Sequence, residues 1–555
     1  MRLAQGLLIL TLLSQCSFGP ALATAVRPGT TEQLINAYAP RDATCPTVPL
    51  VRPATNISTL ENQYINARKT KANAALAAWL KKVNAGFSTS ILPVLGLTHS
   101  GGGYRALLNA AGNMQAMDSR DSNSSIGGLY QAITYQTALS GGAWFLSSLA
   151  ASNWATVSLL QKTIYDSTIP AGLLFPVEPN VFSIVPNYAQ IVADIGAKQA
   201  AGSPVTLVDV YGRLLGYNLF NSSDGGVDHT MSGLTSMSNF SSHSVPYPIL
   251  TSIGTDSNST CTVSLNATQF EFSPYEFGSW DSGTNAFVQT AYLSSNLTNG
   301  MAISKKCTTG LDNLGFITGT SSDFFAGACD SQFVPTGMLN ALAAALQSVV
   351  VKAAGTGGDE LLATYRNPFY GSSHSPLVSH SEDLYLADGG ASFQIQPIWP
   401  LIQPLRNVSV LIVGDCYGNT SSYYPGNISI SYTYAQAQAN NLVKMPFIPT
   451  SAVFIAQNLT SRTQFFGCDE PDTVTIVWLP LVPYIKTASN VDWYDLQVSE
   501  DDIASVITNG NLVATQGNDE EWPLCLACAF MKKTGPILPS GCVACFTKYC
   551  YAPTA

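Results

Sequence analysis

Ser140 lies among small residues in the run Thr137-Ala138-Leu139-Ser140-Gly141-Gly142-Ala143-Trp144. A strand-like stretch, Ala132-Ile133-Thr134-Tyr135, leads into it, and a helix-compatible segment from Trp144 to Trp154 follows. Small neighbours let the backbone turn sharply from strand to helix and leave the serine hydroxyl exposed, the conformation of a nucleophile elbow. The Gly-x-Ser-x-Gly pattern is incomplete, with Ala138 two residues before the serine and Gly142 two after. Alanine is still small enough for the turn. A second glycine run stands upstream, where Leu92-Pro93-Val94-Leu95-Gly96-Leu97-Thr98 reads as a buried strand ending in His99-Ser100-Gly101-Gly102-Gly103-Tyr104-Arg105. A small-residue helix from Ala106 to Met117 follows. Glycines at a helix start leave N–H groups free to face a negative oxygen, and the helix dipole favours that charge. An oxyanion hole needs both. Arg105, one turn in, is placed to hold a phosphate or carboxylate. The alternative, a nucleotide phosphate loop, lacks its context, since no Gly-Lys-Ser/Thr follows.

A third segment, Leu384-Tyr385-Leu386-Ala387-Asp388-Gly389-Gly390, delivers one carboxylate from an apolar strand into a glycine turn. Asp-Gly pairs are common in ordinary turns. This one matters because of the histidines, which are His99, His229, His243, His374 and His380. None follows Asp388, so the chain order Ser, acid, His of the α/β-hydrolases cannot use it. A triad through His374 or His380 with an earlier acid stays open, and so does an aspartate acting alone. The latter requires burial to raise the carboxyl pKa and hydrogen-bond reach to the serine.

The elements that must carry these residues read as one large α/β domain over 24–555. Core strands end near Ser100, Ser140 and Asp388, and further buried strands cover Leu411-Ile412-Val413 and Val474 to Leu479. No linker, charge block or repeat divides the chain. Residues from about 185 to 375 are expected to form a cap insertion. Leu60 to Val83 reads as a solvated surface helix with Lys69, Lys71, Lys81 and Lys82 on its polar faces. A helix over about 335–355 is bracketed by Pro335 and Gly355. It is read as core-packed, with a mobile lid as the alternative.

Residues 1–23 read as a signal peptide: Met1-Arg2 precede an apolar run from Leu7 to Leu13, and Ala21-Leu22-Ala23 or Ala23-Thr24-Ala25 offers a cleavage site. No later run is long enough to span a bilayer, and the C-terminus lacks the apolar tail of a GPI signal. Secretion is therefore expected. Sequons at Asn56, Asn123, Asn221, Asn239, Asn258, Asn266, Asn296, Asn407, Asn419, Asn427 and Asn458 are candidate glycosylation sites. The net charge of −10 argues against nucleic acid as a partner and leaves lipid binding to apolar contact. Beyond the leader stand eleven cysteines, an odd number that leaves at least one outside an intrachain disulfide. Cys525-x-x-Cys528 and Cys542-x-x-Cys545 have near zinc-ribbon spacing, but in an oxidising compartment disulfides are the expected state. No metal site or other cofactor is expected, since neither an EF-hand loop nor His-Glu-x-x-His occurs.

Taken in order, the motifs resemble those of the fungal phospholipase B (lysophospholipase) family, whose catalytic domain is related to those of cytosolic phospholipase A and patatin. The resemblance runs over nearly the whole mature chain. It includes Tyr38-Ala39-Pro40, Pro246-Tyr247-Pro248-Ile249, Phe272 to Asp281, Gly315 to Ser322, Asp388-Gly389-Gly390 and the cysteine-rich tail over 522–550. It implies a patatin/cytosolic phospholipase A-like α/β fold. It also implies Ser140 as nucleophile, Asp388 as its partner, Gly102 and Gly103 as oxyanion donors, and Arg105 as phosphate binder or charge stabiliser. The implied reaction is fatty-acid release from lysophospholipids and glycerophospholipids at lipid surfaces. The departures are Ala138, where a glycine is common, and His99, where an apolar or small residue is usual. His99 is read as a satisfied buried histidine. Two alternative functions are a serine esterase of neutral lipids and an inactive extracellular glycoprotein.

Overall fold

The computed structural model describes residues 36–174, 181–255, 263–293, 295–303, 306–325, 346–349, 361–418, 428–534 and 537–553. The leader lies outside them. So do Cys261, Cys329, Asn258, Asn419, Asn427 and most of the helix expected over 335–355. Within that last segment Leu346 is fully buried.

A mixed 12-stranded sheet organises the chain. In chain order its strands are β1 (Val51–Pro53), β2 (Leu95–His99), β3 (Ile133–Ala138), β4 (Tyr247–Thr255), β5 (Gln269–Phe272), β6 (Glu276–Ser279), β7 (Ala286–Gln289), β8 (Ala363–Arg366), β9 (Asp383–Ala387), β10 (Val410–Asp415), β11 (Gln464–Phe466) and β12 (Thr475–Pro480). The spatial order is β11-β12-β10-β2-β3-β4-β5-β6-β7-β1, with β9 paired to β4 and β8 to β9. The run β12-β10-β2-β3-β4 is parallel. β2, β3, β10 and β12 are buried along their whole length, as expected of parallel strands covered on both faces, which read as continuous apolar runs. The expected strands over 411–413 and 474–479 are β10 and β12.

The chain leaves β2 toward β3 on one side, while β10 lies on the other. This is a topological switch point, and its crevice outside the strand carboxyl ends is where open α/β sheets bind ligands. Gly101–Gly103 and Cys416 both emerge there.

The expected cap over 185–375 is not a separate layer. β4 to β8 all come from that region and join the main sheet, with Ala138 paired to Leu250 across β3 and β4. Tyr247–Thr255 forms a central strand despite Pro248, because the run is apolar and almost wholly buried. A helix over Leu207–Leu219, every residue of which is buried, comes from the same region.

The helix α1 (Thr59–Val83) is capped by the Ser58 hydroxyl, which accepts from the Glu61 N–H at 3.0 Å. Lys71, Lys81 and Lys82 are exposed as expected, but the opposite face buries Tyr64, Arg68, Leu76, Trp79 and Leu80. Its Glu61 and Glu271 of β5 share the buried Arg406 guanidinium, at 2.8 Å and 2.5 Å. Buried charges persist only when paired and hydrogen-bonded in this way, so the helix is tied to the sheet rather than laid on its surface.

The tail helices Trp522–Met531 and Cys542–Tyr549 are clamped by Cys525–Cys545 and Cys528–Cys542. Cys468–Cys550 fixes the tail to the region of β11 and Cys45–Cys307 staples the N-terminal part. The two Cys-x-x-Cys motifs are therefore joined to each other by two disulfides. Cys416 is a free, buried cysteine.

Candidate active site

Ser140 sits between β3 and the helix α3 (Gly141–Ala151) with φ 53° and ψ −124°. This backbone geometry is unfavourable for an L-residue and costs on the order of 1–3 kcal/mol, so it persists only where its surroundings enforce it. The Ser140 N–H donates to the Ser321 carbonyl at 3.1 Å and lies 3.2 Å from the Ser321 hydroxyl oxygen. That hydroxyl in turn donates to the Thr251 carbonyl at 2.7 Å. The Leu139 N–H donates to the His99 carbonyl at 3.2 Å. A Cβ on Gly141 would collide with the Gly103 carbonyl, so only glycine lets the elbow close against the upstream loop. Ala138, the last residue of β3, is fully buried and paired with both His99 and Leu250. Its methyl group fits the strand, and the turn begins after it.

The sheet register brings Asp388 to this elbow. Ala138 of β3 pairs with Leu250 of β4, and Ala387 of β9, running antiparallel, pairs with Ile253 of the same strand. Two residues beyond Ala138 and one beyond Ala387, both chains reach the level of Ser252. The Asp388 carboxylate lies close enough to the Ser140 hydroxyl for that hydroxyl to lower its pKa, and it accepts the Gly390 N–H at 2.7 Å. Asp388 is only 7% exposed, and burial pushes its pKa up to about 6 against the pull of the Ser140 hydroxyl and the Gly390 N–H. The Asp388 N–H donates to the Asp323 carbonyl at 3.1 Å.

Gly102 and Gly103, the expected oxyanion donors, stand on the other side. Gly102 has φ 136° and Gly103 φ 57°, and Gly103 opens the helix α2 (Gly103–Met117). The Gly101 N–H is spent on the Ile395 carbonyl at 3.1 Å. Among the described residues no acceptor takes the N–H of Gly102 or Gly103. A Cβ on Gly101 would lie 3.6 Å from the Ser140 hydroxyl oxygen, so the glycine loop faces Ser140 directly. The arrangement offers a serine hydroxyl, a carboxylate of raised basicity and two open donors at a helix N-terminus, the parts an acyl transfer requires.

Residues 95–555 match the lysophospholipase catalytic domain family. The chain belongs to that family. It is 35% identical to Lysophospholipase 2 of Aspergillus fumigatus, covering 94% of each chain. It is 33% identical to Lysophospholipase 1 of Saccharomyces cerevisiae, over 94% of this chain and 84% of that one. Its fold is that of human GIVD cytosolic phospholipase A2, with a TM-score of 0.68 over 89% of this chain and 72% of the other at 18% identity. The protein is therefore an enzyme, a carboxylic ester hydrolase of the lysophospholipase class, which sets aside the inactive-glycoprotein reading.

The remaining residues of this lysophospholipase family member divide between the site and its frame. His374 and His380 are exposed on the loop before β9, and among the described residues no histidine side chain touches Ser140 or Asp388. His99 is 1% exposed and held at 2.8 Å from the Gln136 side-chain amide, and burial drives its pKa down to about 3. It stays neutral and serves the site through its backbone carbonyl.

Arg105 is 3% exposed. One terminal nitrogen donates to the carbonyls of Cys416 at 2.8 Å and Gly418 at 3.4 Å, and its Nε has no partner among the described residues. Part of the guanidinium is thus committed to bridging α2 and the end of β10. The Ser100 hydroxyl accepts the Cys416 N–H at 2.7 Å and the Cys416 sulfur accepts from Asn109 at 2.9 Å, completing that joint. Sequence reading missed Ser321, which holds the elbow, and Trp493, whose carbonyl occupies the space a Cβ on Gly103 would need. Trp493 acts through its carbonyl and Ser321 through both its carbonyl and its hydroxyl, long-range contacts that residue type does not reveal.

Proposed function

We propose that the chain is a secreted serine acyl hydrolase that releases fatty acids from lysophospholipids and glycerophospholipids with a Ser140/Asp388 dyad. The observation that carries this is the sheet register that brings the Ser140 hydroxyl to the level of the buried Asp388 carboxylate, whose pKa burial raises to about 6. Asp388 takes the Ser140 proton as the Ser140 oxygen attacks the ester carbonyl. The N–H groups of Gly102 and Gly103 receive the oxyanion, and Arg105 adds positive potential from behind them. Collapse breaks the ester C–O bond, and the leaving glycerol oxygen takes the proton from Asp388. Water then gives a proton to Asp388 and attacks the acyl carbon, and the fatty acid departs as Ser140 is reprotonated.

Secretion is supported by the leader sequence and by the described disulfides, which persist in oxidising compartments. Glycosylation is supported by the exposure of Asn56, Asn123, Asn221, Asn266, Asn296, Asn407 and Asn458. Asn239 is the poorest of the described acceptors, since its amide nitrogen donates to the Asn153 carbonyl at 2.7 Å.

Asp388 must be ionised to accept the proton, so kcat/KM on lysophosphatidylcholine is expected to fall tenfold per pH unit below about 6. An unperturbed aspartate would place that limb near 4. Carboxyl ionisation carries little enthalpy and imidazole ionisation much, so the limb is expected to stay in place on warming. A limb near 4, or one that moves with temperature as an imidazole does, would remove Asp388 from the role.

A further inference from the structure

The segment Asp492-Trp493-Tyr494-Asp495 crosses the oxyanion loop, its Trp493 carbonyl packed against Gly103. Gly103 in turn abuts Gly141, the residue after the nucleophile. The turn is internally fixed. The Asp495 carboxylate accepts the Asp492 N–H at 2.7 Å, and the Asp492 carboxylate accepts the Trp493 N–H at 2.8 Å. The Trp493 and Tyr494 rings meet edge to face, with centroids 5.5 Å apart and planes at 80°. Both residues are half-exposed. An edge-to-face pair leaves π-faces open, and open faces beside carboxylates are the recurring chemistry of quaternary ammonium recognition. Arg105 supplies the opposite charge. It is buried, which lowers its pKa, while the Asp492 and Asp495 carboxylates pull that pKa back up, and its Nε lacks a partner among the described residues. The catalytic edge thus carries one buried cation flanked by two carboxylates and two aromatic rings, the mirror of a headgroup holding a phosphate and, a few bonds away, a methylated ammonium.

We infer that Trp493, Tyr494, Asp492 and Asp495 bind the quaternary ammonium of a zwitterionic phosphocholine headgroup while its phosphate faces the Arg105 side of the loop. This rests on the reading of Ser140 as the acyl-transfer nucleophile and adds a headgroup preference to it. Trp493 and Tyr494 here are specificity residues, separate from the chemistry at Ser140. Because Trp493 contacts the oxyanion loop through its carbonyl, replacing its side chain leaves that contact available.

The test uses the full chain with three substrates of equal acyl length: lysophosphatidylcholine, lysophosphatidylglycerol and 1-monoacylglycerol. Trp493→Leu is expected to lower the ratio of kcat/KM for lysophosphatidylcholine to that for monoacylglycerol by about tenfold, mostly through KM. Asp495→Asn, which keeps an oxygen for the Asp492 N–H, is expected to shift preference from lysophosphatidylcholine toward the anionic lysophosphatidylglycerol. Ratios are read within each variant, so a general loss of folded protein does not alter them. Ratios unchanged from wild type in both variants would overturn the headgroup site. Absence of Ser140-dependent hydrolysis of all three substrates in the wild type would instead overturn the acyl-hydrolase reading beneath it.

Discussion

Asp388→Asn is expected to lower kcat on lysophosphatidylcholine by on the order of 10³–10⁴-fold while leaving the protein folded. The amide is nearly the same size, keeps an oxygen for the Gly390 N–H and cannot take a proton from Ser140. The stability side has a definite sign. Burial raises the Asp388 pKa to about 6, so above that pH its charge opposes folding, and stability rises as pH falls through 6 and the carboxyl is protonated. A neutral amide removes that opposition, so Tm at pH 7 is expected to equal or exceed that of wild type. Ser140→Ala removes the bond-forming atom and is expected to cost about 10⁶-fold, down to whatever the oxyanion loop gives alone. Progress curves of fatty-acid release, paired with thermal unfolding, check both. An Asp388→Asn enzyme with more than a tenth of wild-type kcat would contradict the assignment of the base.

Gly103→Ala is expected to be the most damaging change that removes no functional group. Its φ of 57° is a left-handed conformation that disfavours any Cβ, and the added atom would meet the Trp493 carbonyl. Backbone cannot yield as the end of a flexible side chain does, so either the 491–498 segment or the loop must shift. A shift of the loop moves the Gly103 N–H off the site of the oxyanion, and loss of one such donor costs about 10²–10³-fold in kcat. The expected signature is a fall in kcat of at least about 10²-fold with little change in KM. Circular dichroism separates this from unfolding. Activity within threefold of wild type would show that Gly103 does not donate to the oxyanion.

The sequence made the chemistry legible because chemistry depends on residue type. Ser140, Asp388 and the glycine run were each visible as a turn at the end of an apolar strand, and the structure brings all three to one edge. The absence of a histidine after Asp388 already pointed away from the order Ser, acid, His, and the exposed positions of His374 and His380 agree. Long-range pairing was not legible. β4 to β8 were read as parts of a cap because short strands interrupted by prolines and turns carry little periodicity, and nothing local to Tyr247 says that it will pair with Tyr135. The burial of Arg105 was equally hidden. An arginine one turn into a glycine-rich helix start reads as a ligand contact, whereas its acceptors, the carbonyls of Cys416 and Gly418, lie more than three hundred residues away. Glu61 and Arg406 make the same point for α1: the lysines that suggest a solvated helix mark only one face, while Glu61 ties the helix to Arg406 in the core.

The central claim is that Ser140 is an activated nucleophile and that Asp388 activates it. The most direct measurement is covalent labelling with a long-chain alkyl fluorophosphonate, followed by peptide mass mapping of the labelled residue and comparison of labelling rates for wild type and Asp388→Asn. In the labelling step the Ser140 oxygen forms a bond to phosphorus and fluoride leaves, with the proton passing to Asp388. The account predicts one phosphonyl group per chain, on Ser140, and a rate reduced by at least about 10²-fold in Asp388→Asn. Label on another residue, or an unchanged rate in Asp388→Asn, would contradict it.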